Sequence, residues 1–166
     1  ARNQVPCIVF ESVYSMDGDV SPIEKICDLA DRYGAITYID EVHAVGLYGE
    51  HGAGYLEKLG IQNRVDIVNG TLGKAYGVTG GYIAADRDVI DSIRSVASGF
   101  IFTTSISPVI CAGALASIKY TKDHNELRIQ HQDVAAKFKR KLQEAGIEVL
   151  DNSCTHIVPV MVRDAK

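Results

Sequence analysis

The sequence predicts an α/β fold, an open and mainly parallel sheet with helices on both faces, followed by the start of an α+β unit. Three features carry that reading. Short apolar runs alternate with amphipathic stretches up to about residue 103, polar glycine-containing loops follow several apolar runs, and from Ser107 the chain turns helical before two last apolar runs. Residues 7–10 form the first strand. Ser21-Pro22-Ile23-Glu24 then supplies an N-cap, a proline in the first turn and a capping-box glutamate, with Ile23, Ile26, Ala30 and Tyr33 along one face and Gly34 as the stop. Residues 36–39, closed by Asp40, form a second strand, 65–68 a third, 81–85 a fourth and 100–103 a fifth. Between the last two, Asp86 caps a helix with Val89, Ile90, Ile93 and Val96 on one face and Gly99 beyond its end. Pro108 opens a helix to about Tyr120, and a longer helix runs to Ala145 with Leu127, Val134, Phe138 and Leu142 on one face. Residues 147–150 and 156–162 read as strands of the second unit, so the boundary falls within the helices.

Composition narrows the function classes. The 166 residues are 46% hydrophobic and 23% charged, with 15 Gly and 4 Pro, which is ordinary globular usage for about one domain. Lys plus Arg is 17 against 21 Asp plus Glu, so the chain lacks the cationic excess that nucleic acid or an anionic membrane surface attracts. No apolar run approaches the roughly 18 residues of a membrane span. Cys7, Cys27, Cys111 and Cys154 lie too far apart for a zinc knuckle or a redox pair, which fits a reducing compartment. The chain lacks an initiator Met and starts just before an apolar strand, with neither an h-region nor an Arg-rich helix ahead of it. A piece of a longer polypeptide is the expectation.

Ligands of an open α/β sheet collect beyond the carboxyl ends of the strands, and three polar loops fall there: 12–19, 40–54 and 69–80. Lys74 lies among Gly73, Ala75 and Gly77, so a ligand can come close to its backbone, and such a lysine can attack a carbonyl. A solvated loop lysine is the plainer alternative. Asp40 closes an apolar strand, where a carboxylate usually has a cationic partner: a pyridinium nitrogen, a metal ion or an arginine. His43 can hydrogen-bond the same ligand or serve as a structural histidine. Thr71, Thr103 and Thr104 are short hydroxyl donors of the kind that hold phosphate. Asp40-Glu41-Val42-His43 also looks like the magnesium-binding motif of helicase-type ATPases. That reading requires G-x-x-x-x-G-K-[ST], and here Ala75 follows Lys74 while Val68 takes the place of the first glycine. No histidine or cysteine pair has metal-ligand spacing, so no metal is predicted.

The segments FESVYSMDGD at 10–19, YIDEVHAVGLYG at 38–49, GTLGKA at 70–75 and GGYIA at 80–84 together resemble the α-oxoamine synthases, pyridoxal-phosphate enzymes of the aspartate aminotransferase fold, fold type I. The resemblance covers nearly the whole chain in the right order. Glu41-Val42, GFIFTTS at 99–105 and HIVPV at 156–160 are most similar to the member that condenses glycine with succinyl-CoA, although Ser107 stands where a proline is usual. The sister enzymes usually carry Asp-Asp-Ser-His or Asp-Asp-Ala-His in the second motif, and one of them uses acetyl-CoA instead. A catalytically silent homologue is the non-enzyme alternative.

The resemblance implies a site. Lys74 would bind pyridoxal phosphate covalently and move the substrate proton; Asp40 would pair with the pyridine nitrogen; His43 and Ser15 would hydrogen-bond the phenolic oxygen. Thr71 would hold the phosphate, with Thr103 and Thr104 reaching it from the other subunit of a homodimer. Residues 1–120 would belong to the cofactor-binding large domain and 121–166 would begin a small C-terminal domain. The family's members are much longer than this chain, and further ligands of cofactor and substrate would lie outside it.

Overall fold

The computed structural model describes residues 5–163, so the first four residues, where the sequence has neither an h-region nor an Arg-rich helix, lie outside the described residues. Its sheet has four strands in the order β1 (Cys7–Glu11), β2 (Ile36–Asp40), β3 (Ile67–Thr71) and β4 (Gly81–Ala85). The first two pairings are parallel and the last is antiparallel. Glu11 pairs with Asp40 and Asp40 with Asn69, so β1 and β2 end level, β3 runs on to Thr71, and the three loops leave from one edge. Phe10, Ile39, Val68 and Ala84 form the adjacent row across the sheet. Because side chains alternate along a strand, this row faces away from the Glu11–Asp40–Asn69 row.

Helix α1 (Ile23–Tyr33) joins β1 to β2, and α2 (Tyr55–Leu59) precedes β3. Ile23 and Cys27 of α1 and Leu56 of α2 bury themselves with Phe10 and Ile39. On the other face Val9 is exposed. The left-handed Gly34 ends α1, its N–H reaching Ala30 O, as its sequence position predicts. The start differs. The Ser21 hydroxyl is buried without a hydrogen-bond partner, because Ser21 is drawn into the β1 loop: its N–H donates to Ser12 O and its carbonyl accepts from Ile23 N. The capping box therefore does not form.

The third strand begins at Ile67, not Val65. Asp66 is occupied by side-chain bonds, its carboxylate accepting from Thr37 N and Thr37 Oγ1, both at 2.8 Å, and a 3₁₀ turn precedes it at Gln62–Arg64. Helix α3 (Arg87–Val96) ends at Ala97, with no side-chain cap from Asp86, and Gly99 falls inside the short α4 (Ser98–Ile101). The strand expected at 100–103 is thus absent. The N–H groups of Phe100, Ile101 and Phe102 are taken by carbonyls three or four residues back, which leaves no ladder to extend.

Ser107 caps α5 (Pro108–Asp123), which runs three residues past Tyr120, and α6 (Asn125–Glu144) follows. The predicted apolar face of α6 is largely uncovered: Leu127, Val134 and Phe138 are exposed and the buried residue is Arg128. Its guanidinium donates to the carbonyls of Thr121 and Glu50, tying α6 to the loop after β2. The two C-terminal strands reduce to one antiparallel bridge, Val149 with Val160. Between them the chain turns back onto Gly18, whose carbonyl accepts from Cys154 N and Thr155 Oγ1, and Pro159 has no N–H for a ladder.

Candidate active site

The three loops expected to hold a site do meet. The loop after β3 is pinned by buried Leu72 and Tyr76, which pack with Val45 and Ala114. Tyr76 also donates its hydroxyl to Gly52 O at 3.2 Å, and its carbonyl accepts from Ser117 Oγ at 2.9 Å. Lys74 stands exposed between these anchors, in a turn closed by Gly77 N to Lys74 O at 3.1 Å. Gly46 is needed where this loop meets the one after β2. Its φ is +81°, and a Cβ there would lie 2.6 Å from the Cβ of Ala75, the neighbour of Lys74.

Across that contact the Lys74 ammonium lies 2.8 Å from His43 Nε2. When the lysine is charged it can only donate, so Nε2 is then the acceptor and the ring proton sits on Nδ1. Partial burial pushes the His43 pKa down and the Lys74 charge adds to this, against the opposing pull of Glu11 and Asp40. The net shift favours the neutral imidazole beside Lys74.

Asp40 is half-buried at the end of β2, and its Oδ1 accepts from Val42 N at 2.9 Å, which orients the carboxylate at the start of the loop. Ser15 is half-buried, its N–H donating to Glu11 Oε2 at 3.1 Å. Thr71 Oγ1 accepts from Gly73 N at 3.1 Å and donates to Gly80 O at 3.3 Å, so its hydroxyl shapes the lysine loop. Thr103 and Thr104 are exposed after α4. Among the described residues no hydrogen bond links them to Lys74, His43 or Asp40.

Two groups near the site escaped the sequence reading. Glu41, which drew notice only as part of sequence motifs and was given no role of its own, is a fully buried carboxylate. Tyr48 is buried, and its hydroxyl lies 2.9 Å from His156 Nδ1, 108 residues away. Burial lowers the His156 pKa to about 4, assisted by the charges of His131 and His43. No local spacing signals such a pair.

Comparison with known proteins fits this geometry. The family described as aminotransferase class I and II matches residues 1–166. The chain is 56% identical over 157 residues to 5-aminolevulinate synthase 1 of Cereibacter sphaeroides, covering 95% of this chain and 38% of that protein. It is 55% identical over 164 residues to the mitochondrial 5-aminolevulinate synthase of Schizosaccharomyces pombe, covering 98% of this chain and 29% of that one. Among solved structures, a serine palmitoyltransferase of S. paucimobilis with a bound PLP–myriocin aldimine superposes at a TM-score of 0.92 and 30% identity, over 99% of this chain and 43% of that chain. The chain spans less than half the length of each of these relatives. With its whole length matched, the chain belongs to the aminotransferase class I and II family.

Proposed function

We propose that the full-length protein is a 5-aminolevulinate synthase, which condenses glycine with succinyl-CoA to give 5-aminolevulinate, CoA and carbon dioxide, the first step toward haem. The observation that carries this reading is Lys74 Nζ held 2.8 Å from His43 Nε2, in the glycine loop that follows β3, the strand paired with Asp40. The identity of 56% to a named synthase supports the choice of reaction.

The donor set fits pyridoxal phosphate: an exposed amine for its aldehyde, a carboxylate for its ring nitrogen, and an imidazole and hydroxyls for its oxygens. When bound, the cofactor supplies an electron sink for a carbanion at the glycine α-carbon. Asp40 would hold a proton on the ring nitrogen through its carboxylate. His43 and Ser15 would hydrogen-bond the phenolic oxygen, and Thr71 the phosphate. Lys74 Nζ would anchor the cofactor and, once released, take the glycine α-proton and later return one, with His43 Nε2 aiming the amine. In a homodimer, Thr103 and Thr104 of one subunit would reach the phosphate of the other. Residues 1–120 would belong to the cofactor domain and 121–166 would open a second, with α5 crossing the division. The protein would work in the cytoplasm of a bacterium or the mitochondrial matrix of a eukaryote. None of the described helices is long and apolar enough to cross a membrane.

Turnover of glycine with succinyl-CoA and with acetyl-CoA, measured on the full-length protein, tests the assignment. Succinyl-CoA is the expected substrate. Activity with acetyl-CoA alone would make the protein a 2-amino-3-ketobutyrate CoA ligase, and inactivity with both would favour a silent homologue.

A further inference from the structure

The proposed chemistry leaves one large buried charge unused. Glu41 has no exposed surface, although Asp40 before it and His43 after it are half-buried site residues. Three donors meet its carboxylate: Ser12 Oγ to Oε2 at 2.8 Å, Tyr55 N to Oε2 at 2.9 Å and Leu56 N to Oε1 at 2.8 Å. Burial raises its pKa, and these three bonds oppose the rise, with Asp40 adding slightly to it. An interior charge persists where it is hydrogen-bonded on all sides, and bonds to a charged acceptor are the strong ones.

The backbone at this position is held as firmly. Glu41 N donates to Asn69 O at 2.8 Å, and Glu41 O accepts from Ala44 N and Val45 N. Ser12 N donates to Asp40 O at 2.9 Å, and Ser12 opens the loop that carries Ser15. One side chain thus joins the loop after β1, the loop after β2 and the first turn of α2. Gly54 marks how closely the chain passes: its φ is +117°, and a Cβ there would lie 2.8 Å from Glu41 Oε2. An aspartate at this position would stop about 1.5 Å short, the length of one carbon–carbon bond.

We propose that Glu41 is a positioning residue, which fixes the directions of Asp40 and His43 by tying both site loops to the start of α2. The cofactor part of this claim rests on the function proposed above; the part about the loops does not. A glutamine cannot replace the carboxylate, because in either orientation its NH₂ faces the N–H of Tyr55 or of Leu56.

The test uses the full-length protein with Glu41→Gln, Glu41→Asp and the milder Ser12→Ala, which removes one donor. Asp66→Ala is the control, since it removes a carboxylate that accepts an N–H and a hydroxyl at the opposite end of β2. Two readings are taken at a temperature where circular dichroism finds each variant folded: amide hydrogen exchange of the cofactor-free protein, and the Kd for pyridoxal phosphate. Both Glu41 variants should speed exchange at 12–15, 42–45 and 55–56 by about tenfold or more, as expected for loss of one buried charge-assisted bond. Their Kd should rise by between about tenfold and a hundredfold, since a displacement near 1 Å in a site costs up to the latter. Ser12→Ala should loosen 12–15 alone, and Asp66→Ala should lower Tm without moving either reading. Glu41 variants that lose thermal stability but keep wild-type exchange at 12–15 and 42–45 would overturn the proposal. If the wild-type protein binds no pyridoxal phosphate, the functional reading fails, and the exchange pattern by itself decides whether Glu41 positions the loops.

Discussion

Gly46 offers a test of how the lysine loop is held, because the structure separates two costs of filling it. Gly46→Ala places a side chain at a φ of +81°, and its Cβ would lie 2.6 Å from Ala75 Cβ where ordinary contact begins at 3.4 Å. Gly77→Ala meets a similar backbone penalty, with φ at +69°, but its Cβ finds nothing within 4 Å. The left-handed conformation costs an L-residue about 1–2 kcal/mol in either variant. Overpacking adds about 1–3 kcal/mol to Gly46→Ala alone. Ala75 gives way most readily by moving the turn that carries Lys74, so the extra cost falls on the site. In the full-length protein, Gly46→Ala should weaken pyridoxal-phosphate binding by about tenfold or more, while Gly77→Ala stays within about threefold, on the scale of 1.4 kcal/mol per factor of ten. Kd is read by titrating the cofactor-free protein in visible light, alongside a melting curve for each variant. Equal Kd values for the two variants would refute the argument that the Gly46–Ala75 contact positions the lysine.

Further outcomes follow from other residues. His156 has a folded pKa near 4 against an ordinary 6.5, so the unfolded chain binds more protons between those values and stability falls as pH drops through that window. His156→Gln should flatten the pH dependence of the urea midpoint there, and an unchanged slope would remove His156 from the account; His43, lowered in the same direction, keeps part of the slope. Asp40→Ala should weaken cofactor binding by at least about tenfold, the effect of losing one charge-assisted bond, read in the same titration. Val96, Phe100, Phe102 and Val109 are each exposed apolar residues within one part of the chain, Phe102 at 86%, so the 166-residue chain should self-associate in light scattering. Phe100→Ser with Phe102→Ser should reduce that association.

Much of the fold was legible where the signal is local. The strand at 81–85 and the ends of α1 and β2 follow from short apolar runs and from Gly34. The errors share a cause: bonds to distant or unexpected partners outweighed local propensity. The run Phe100-Ile101-Phe102-Thr103 has strand-forming side chains, yet its N–H groups close helical turns. Val65 and Asp66 look like strand residues until Thr37 claims the Asp66 carboxylate. In the site, Lys74 and Asp40 stood out by their glycines and their place at strand ends, and Lys74 meets His43 across 31 residues. Glu41 and Ser12, 29 residues apart, and Tyr48 with His156 form pairs that only the folded chain brings together.

The central claim is that Lys74 carries the cofactor, and one measurement addresses it directly. Borohydride reduction of the full-length holoprotein makes a lysine–cofactor bond permanent, and peptide mass spectrometry then locates it. The predicted result is a single pyridoxyl group on the peptide that contains Lys74, absent from Lys74→Ala. A label on another lysine, or no label on protein that shows synthase activity, would contradict the account.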